Sequence, residues 1–229
     1  MGKKKKIAIL IHVLILANLR LFAQTTKVVR DFRSRAALCV EKEVFNKFLV
    51  TGEAEVGFEH NLSSFEEIHG EVGLKYNALD CLNAEFNYRF LKDRKKYTSE
   101  FENANVYSVS VEALHKFNDL KGSYRLQYQN EDEEDVDGLR ERNHHLVRNR
   151  IKLKYHINQT RISPYFSSEF YVRVAKKYLD AKKIRFVTGA SINLKKKQEL
   201  DLYFRADQEL APDYPCRFYT LGVTYQFNL

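Results

Sequence analysis

From near residue 34 to the last residue, apolar and polar side chains alternate almost one for one. A period of two puts the two kinds on opposite faces of a β-strand, so each such run is a strand with one apolar and one polar face. Phe48, Val50, Gly52, Ala54, Val56 and Phe58 share one face, while Glu53, Glu55 and Glu59 lie on the other. The pattern returns in Leu82, Ala84, Phe86, Tyr88 and Phe90 against Glu85 and Arg89. It returns again in Ile151, Leu153, Tyr155 and Ile157 against Arg148, Arg150, Lys152 and Lys154. No stretch beyond residue 24 keeps a helical spacing, so the fold class is all-β.

The runs are joined in two ways. Short turns read Phe45-Asn46-Lys47-Phe48, Tyr76-Asn77-Ala78-Leu79, Phe117-Asn118-Asp119-Leu120 and Ile157-Asn158-Gln159-Thr160, with Leu194-Lys195-Lys196-Lys197 as a fifth. Asn suits them because it tolerates left-handed backbone angles. Between them fall longer polar connections near 60–66, 91–104, 129–143, 173–182 and 209–216. Short turns at one end and long loops at the other are the asymmetry of transmembrane barrels. Eleven runs are clear, the first at 34–44. A further strand over 25–33 gives a transmembrane antiparallel up-and-down β-barrel of about twelve strands, with both termini at the short-turn end. Ten strands with a loosely attached N-terminal hairpin is the alternative.

Alternation alone does not say which face points inward, and a soluble periplasmic lipid-binding barrel remains the alternative reading. Three features favour lipid outside. The runs are 10 to 13 residues long, against the roughly 9–11 of a tilted membrane crossing and the roughly 5–6 of soluble strands. The polar face is dense in Glu and Arg. Aromatics (Phe45, Phe48, Tyr76, Phe117, Tyr155) gather beside the short turns, as an interfacial girdle requires. The chain ends on Tyr219, Leu221, Val223, Tyr225, Phe227 and Leu229 in strict alternation. This resembles the C-terminal signal read by barrel-assembly machinery, with Leu where an aromatic is usual and no Trp in the chain.

Residues 1–23 read as a secretory signal peptide: Lys3 to Lys6, an apolar run from Ile7 to Ala17, and Leu21-Phe22-Ala23 before Gln24. About 11 apolar residues are too few for a helix that needs about 20 to span a bilayer. The domains are thus a signal peptide (1–23) and a barrel (24–229), exported to the cell outer membrane. The formal charge of +8 is largely this leader; without its five bases, 33 basic residues face 30 acidic ones, a net of +3. No nucleic-acid partner is expected. Cys39, Cys81 and Cys216 have no metal-site spacing and read as free thiols, or one disulfide and one thiol.

The polar face separates by charge. Early strands offer Glu41, Glu43, Glu53, Glu55, Glu71 and Glu85, later ones Arg125, Arg148, Arg150, Lys152, Lys154, Arg185 and Arg205, with Glu169 and Asp201 among them. In a closed barrel an acidic wall would oppose a basic one. The candidate lumen network is Glu53, Glu55, Glu71, Glu85, Arg125, Arg148, Arg150, Glu169 and Arg205. Its first expectation is that these groups pair across the interior and plug it; the other is a narrow pore for small polar solutes.

No catalytic, cofactor or metal site is read. His144, His145, Ser167 and Ser168 are the residue types an outer-membrane lipid-modifying enzyme would use, but no Gly-x-Ser-x-Gly elbow is present. The acidic run from Glu131 to Gly138 lacks EF-hand spacing and reads as a solvated loop. Lys92 to Lys96 and Lys176–Lys177 are placed to meet lipopolysaccharide phosphates. The expected partners are outer-membrane lipids, lipopolysaccharide and the assembly machinery, with the protein a monomer.

The hairpin series, Arg148-Asn149-Arg150, the segments Ile162-Ser163-Pro164-Tyr165 to Glu169-Phe170-Tyr171, and Leu200-Asp201-Leu202-Tyr203-Phe204-Arg205 resemble an uncharacterised outer-membrane β-barrel family of Gram-negative bacteria, catalogued as a domain of unknown function. The resemblance spans about 30–229 and implies fold and location but no reaction. Members carry Glu-rich first strands, which Glu53 and Glu55 look like here.

Overall fold

A computed structural model describes residues 29–94, 100–134, 141–174, 179–194, 197–210 and 216–229. The expected signal peptide, residues 25–28, Lys95, Lys96, Lys176, Lys177, Lys195, Lys196 and the 135–138 part of the acidic run lie outside these. Every regular element among the described residues is a strand: β1 (Val29–Phe45), β2 (Phe48–Glu59), β3 (Ser64–Leu79), β4 (Leu82–Arg94), β5 (Phe101–Phe117), β6 (Leu120–Glu134), β7 (Glu141–Tyr155), β8 (Ile162–Val174), β9 (Leu179–Asn193), β10 (Gln198–Glu209) and β11 (Cys216–Asn228). Each pairs antiparallel with its chain neighbour, and the sheet closes on itself.

The barrel has eleven strands, not twelve or ten. Residues 29–33 form no strand of their own: they begin β1 and lie beside 216–220 of β11. No glycine, proline or asparagine occurs between 25 and 45 to turn the chain there. An odd count makes the first and last strands run the same way, so β1 meets β11 in parallel, Val29 beside Cys216 through to Glu41 beside Asn228. It also corrects the expected placement of the termini. Val29 stands at the end that carries 60–63, and Leu229 at the end that carries 46–47.

The turns at 46–47 and 118–119 fall where expected, with Lys47 (φ 72°) and Asn118 (φ 52°) left-handed. The 77–78 turn does not form. The Asn77 N–H donates to the Lys47 carbonyl of the neighbouring turn at 2.8 Å, the ladder slips between Tyr76 and Leu79, and the chain reverses at 80–81. At the other end the strands run on into most of the expected loops. β4 runs to Arg94, β6 to Glu134 and β8 to Val174, well inside the connections expected from sequence.

The faces are inverted relative to a soluble protein. Val72 (60% exposed), Ile151 (58%) and Leu221 (52%) look outward, whereas Thr220 (0%), Ser191 (2%) and Glu169 (4%) are buried. A soluble lipid-binding barrel needs an apolar chamber and a polar exterior, whereas every strand here sets polar side chains inward. Phe45, Tyr76, Phe117 and Tyr155 are exposed beside the short turns, and Phe48 stacks on Tyr76 at 4.6 Å. Along β11, Leu221, Val223 and the terminal Leu229 are exposed, and the Leu229 N–H donates to the Glu41 carbonyl at 2.8 Å. Two interior tyrosines lie over glycines paired with them: a Cβ on Gly222 would overlap the Tyr203 ring, and one on Gly189 would sit 2.8 Å from the Tyr165 ring.

Candidate functional site

Strands β1–β4 build one wall of the lumen around Arg35. Arg35, Gly57 and Glu67 are successive partners across β1, β2 and β3. With no side chain at Gly57, the guanidinium reaches over β2 to bond Glu67, and it also bonds Glu55 (2.7 Å) and Glu66 (3.0 Å). Glu66 and Glu67 both turn inward because the β2–β3 ladder slips between Gly57 and Phe58, leaving one extra residue on β3. Arg33 bonds Asp31 (3.0 Å) and Glu66 and lies over the Phe218 ring, 3.7 Å from its centre. Further along the wall, His69 Nε2 meets Glu53 Oε1 at 3.0 Å, and Arg89 donates to Glu71 at 2.7 Å. Glu85 stands opposite Lys75 in register.

The facing wall reverses the signs. Glu112, Arg125, Arg150, Glu169, Arg185 and Asp207 are successive cross-strand partners over β5 to β10, forming a charged belt. Glu169 accepts from Arg125 (3.0 Å), from Arg148 (3.2 Å) and from the Tyr171 hydroxyl (2.8 Å). Arg150 bonds Glu112 at 3.1 Å, and Asp207 holds both Arg185 (2.7 Å) and Arg205 (3.2 Å). The Tyr171 ring has Lys183, Arg148 and Arg185 over it at 4.4, 4.7 and 5.4 Å.

In a ring of eleven, β2 lies opposite β7 and β8, so the two walls face one another. The pairs named above run along each wall between strands at most two apart in the ring, rather than across the lumen. Between the walls is a cavity of about 680 Å³, lined by Glu53, Glu55, Glu67 and His69 on one side and by Arg148, Arg173, Lys183, Arg185 and Arg205 on the other. Such a lining offers a transverse field to a small polar solute.

Of the nine lumen residues expected from sequence, Glu53, Glu55, Arg148 and Arg205 line this cavity. Glu71, Glu85, Arg125, Arg150 and Glu169 lie on the interior face outside its lining. Glu43 is exposed and does not join the acidic wall. Arg33, Glu66 and Asp93 were missed because they sit where a separate strand or a loop was expected, and strands extended by a few residues would have revealed them; Arg35 and Glu67 fall outside those stretches and were passed over. His144 and Ser167 point inward and His145 and Ser168 outward. Ser167 stands opposite Lys152, eight residues along β7 from His144, about 26 Å away at strand rise. They do not form one site. His145 instead takes the Tyr128 hydroxyl at 2.7 Å. No disulfide links the three cysteines.

No curated protein matches the chain. Among solved structures, the β-domain of the Bordetella autotransporter Brka matches with a TM-score of 0.52 at 10% identity, covering 75% of this chain and 79% of that one. The NanC porin matches with a TM-score of 0.48 at 13% identity, covering 78% and 87%. At such identity the first likeness is one of barrel fold. A family model described as a protein of unknown function (DUF2490) matches residues 36–212, from β1 through β10. By that match over most of its length, the chain belongs to this family of barrel proteins of unknown function.

Proposed function

We propose that this protein is an outer-membrane β-barrel whose lumen is a narrow pore for small polar solutes, without catalysis. The observation that carries the reading is the cavity of about 680 Å³ between two walls of opposite charge excess, whose ion pairs run along the walls and leave the space between them open. Eleven strands fall between the roughly eight that fill an interior and the 16–18 that leave a wide channel, which suits a narrow passage.

The membrane part rests on the apolar exterior. Surface such as Val72, Val109 and Ile151, each at least half exposed, is costly in water and at no cost against lipid tails. Strands of 12 to 17 residues exceed the roughly 9–11 needed to cross. The signal peptide over 1–23 and the alternating end of β11 support export to the outer membrane and handling by the barrel-assembly machinery. Lipopolysaccharide and outer-membrane lipids are the surroundings this exterior suits. A closed sheet leaves no strand edge for a second copy to pair with, which supports a monomer.

The test is planar-bilayer conductance of the refolded mature chain, beside its heat-modifiable gel mobility. A heat shift with steady, ion-selective current steps supports the pore. A heat shift without conductance leaves the barrel and makes it a plugged structural scaffold of the envelope. A chain that stays in solution without detergent and shows no shift would sink the membrane reading.

A further inference from the structure

The charged belt on the basic wall is flanked by two lysines that it does not neutralise. Arg150, Glu169, Arg185 and Asp207 form its centre as successive partners on β7 to β10. One row nearer the end that carries 60–63, Arg148, Tyr171 and Lys183 are partners in the same way. One row nearer the end that carries 46–47 stand Lys152, Ser167, Val187 and Arg205. Lys183 and Lys152 thus sit on either side of the belt, their rows about 13 Å apart at strand rise.

The belt has no acid to spare for them. Glu169 already holds Arg125 and Arg148, and Asp207 holds Arg185 and Arg205. Among the described residues neither lysine forms an ion pair or donates a hydrogen bond. Each lies instead over a tyrosine ring, Lys183 over Tyr171 at 4.4 Å and Lys152 over Tyr165 at 4.1 Å. A ring attracts an ammonium but offers it no oxygen, and the two hydroxyls donate elsewhere, to Glu169 and Asp201. An ammonium withdrawn from bulk water without a counter-ion is costly, so both positions favour an anion supplied from solution.

We propose that β7 to β10 carry a track for small oxyanions, carboxylates or phosphates, with Lys183 as the station in the cavity and Lys152 as the next. Lys183 lines the cavity together with Arg148, Arg185 and Arg205, whose forked guanidiniums suit an oxyanion. The carboxylates of the facing wall keep an anion to this side by repulsion. Two stations of moderate strength let a solute leave as readily as it enters. Passage between them rests on the pore reading; binding at Lys183 does not.

The experiment is block of the KCl current through the refolded chain in planar bilayers by succinate and by inorganic phosphate, at constant ionic strength and slightly below neutral pH. Saturable block by at least one of them is expected, and the stronger blocker identifies the head group. Lys183→Gln and Lys152→Gln should each weaken the block roughly tenfold, with the heat shift kept. Lys42→Gln, at an exposed position on β1, should leave it unchanged. Current that neither anion blocks, or wild-type block in either folded lysine variant, overturns the proposal. Should Lys183→Gln fail to fold, Lys152→Gln decides by the same criterion. A folded barrel without current sinks the pore reading and the passage with it. Calorimetric titration with the same two anions in detergent micelles then tests the station at Lys183: saturable binding lost in Lys183→Gln upholds it, and no saturable binding overturns it.

Discussion

The two walls of the lumen are built as opposites. Around Arg35 one cation is held by three carboxylates, Glu55, Glu66 and Glu67. Around Glu169 one carboxylate is held by two guanidiniums, Arg125 and Arg148. Each wall carries an excess of one sign and is organised by a buried counter-ion of the other. A wall of like charges alone would repel itself and pay heavily for desolvation; a central counter-ion lets the excess persist facing the cavity. The walls differ in how they make room. The acidic wall uses a bulge and a missing side chain at Gly57, whereas the belt from Glu112 to Asp207 keeps its register over six strands and the β8–β9 ladder slips only beyond it, after Tyr171.

That comparison can be broken in several places. Arg35→Met removes the cation shared by three buried carboxylates, leaving Glu66 only Arg33, and should cost about 4 kcal/mol, read by urea unfolding of lipid-refolded protein. Glu169→Gln should cost less, about 3 kcal/mol, since it strands two guanidiniums and Arg148 keeps a bond to Gln129 (3.0 Å). If the second change costs more than the first, the basic belt is the one that holds the barrel closed. Gly222→Ala, where β10 meets β11, forces the Tyr203 ring aside and should cost about 1–3 kcal/mol. Its cost should vanish in Gly222→Ala with Tyr203→Ala. Lys75→Ala removes a looser pair with Glu41 (3.6 Å, both about a quarter exposed) and should shift stability by no more than about 1 kcal/mol.

Much of this was legible along the chain. Period-two alternation separates Glu53 and Glu55 from Val56 and Phe58, and Arg148 and Arg150 from Ile151, because strand geometry alone puts them on opposite faces. What failed needed partners far away in sequence. Residues 29–33 look like a separate strand until β11, nearly two hundred residues on, is laid beside them. The Asn77 turn is overridden by a hydrogen bond to Lys47 in another hairpin. Glu66 faces inward only through a slipped ladder, and the grouping of His69 with Glu53 and Glu55 depends on the β2–β3 register. The ion pairs described here join strands at most two apart in the ring, because cross-strand neighbours are closer than the opposite side.

The central claim, an inside-out barrel in a bilayer, has a direct test because the chain contains no tryptophan. Leu126 and Gln127 are adjacent in β6, 47% and 7% exposed. Single Leu126→Trp and Gln127→Trp variants, refolded into vesicles with brominated acyl chains, report which face meets lipid through quenching of the indole. The account predicts strong quenching at 126 and little at 127. Quenching at 127 and not at 126, or at neither, would contradict it.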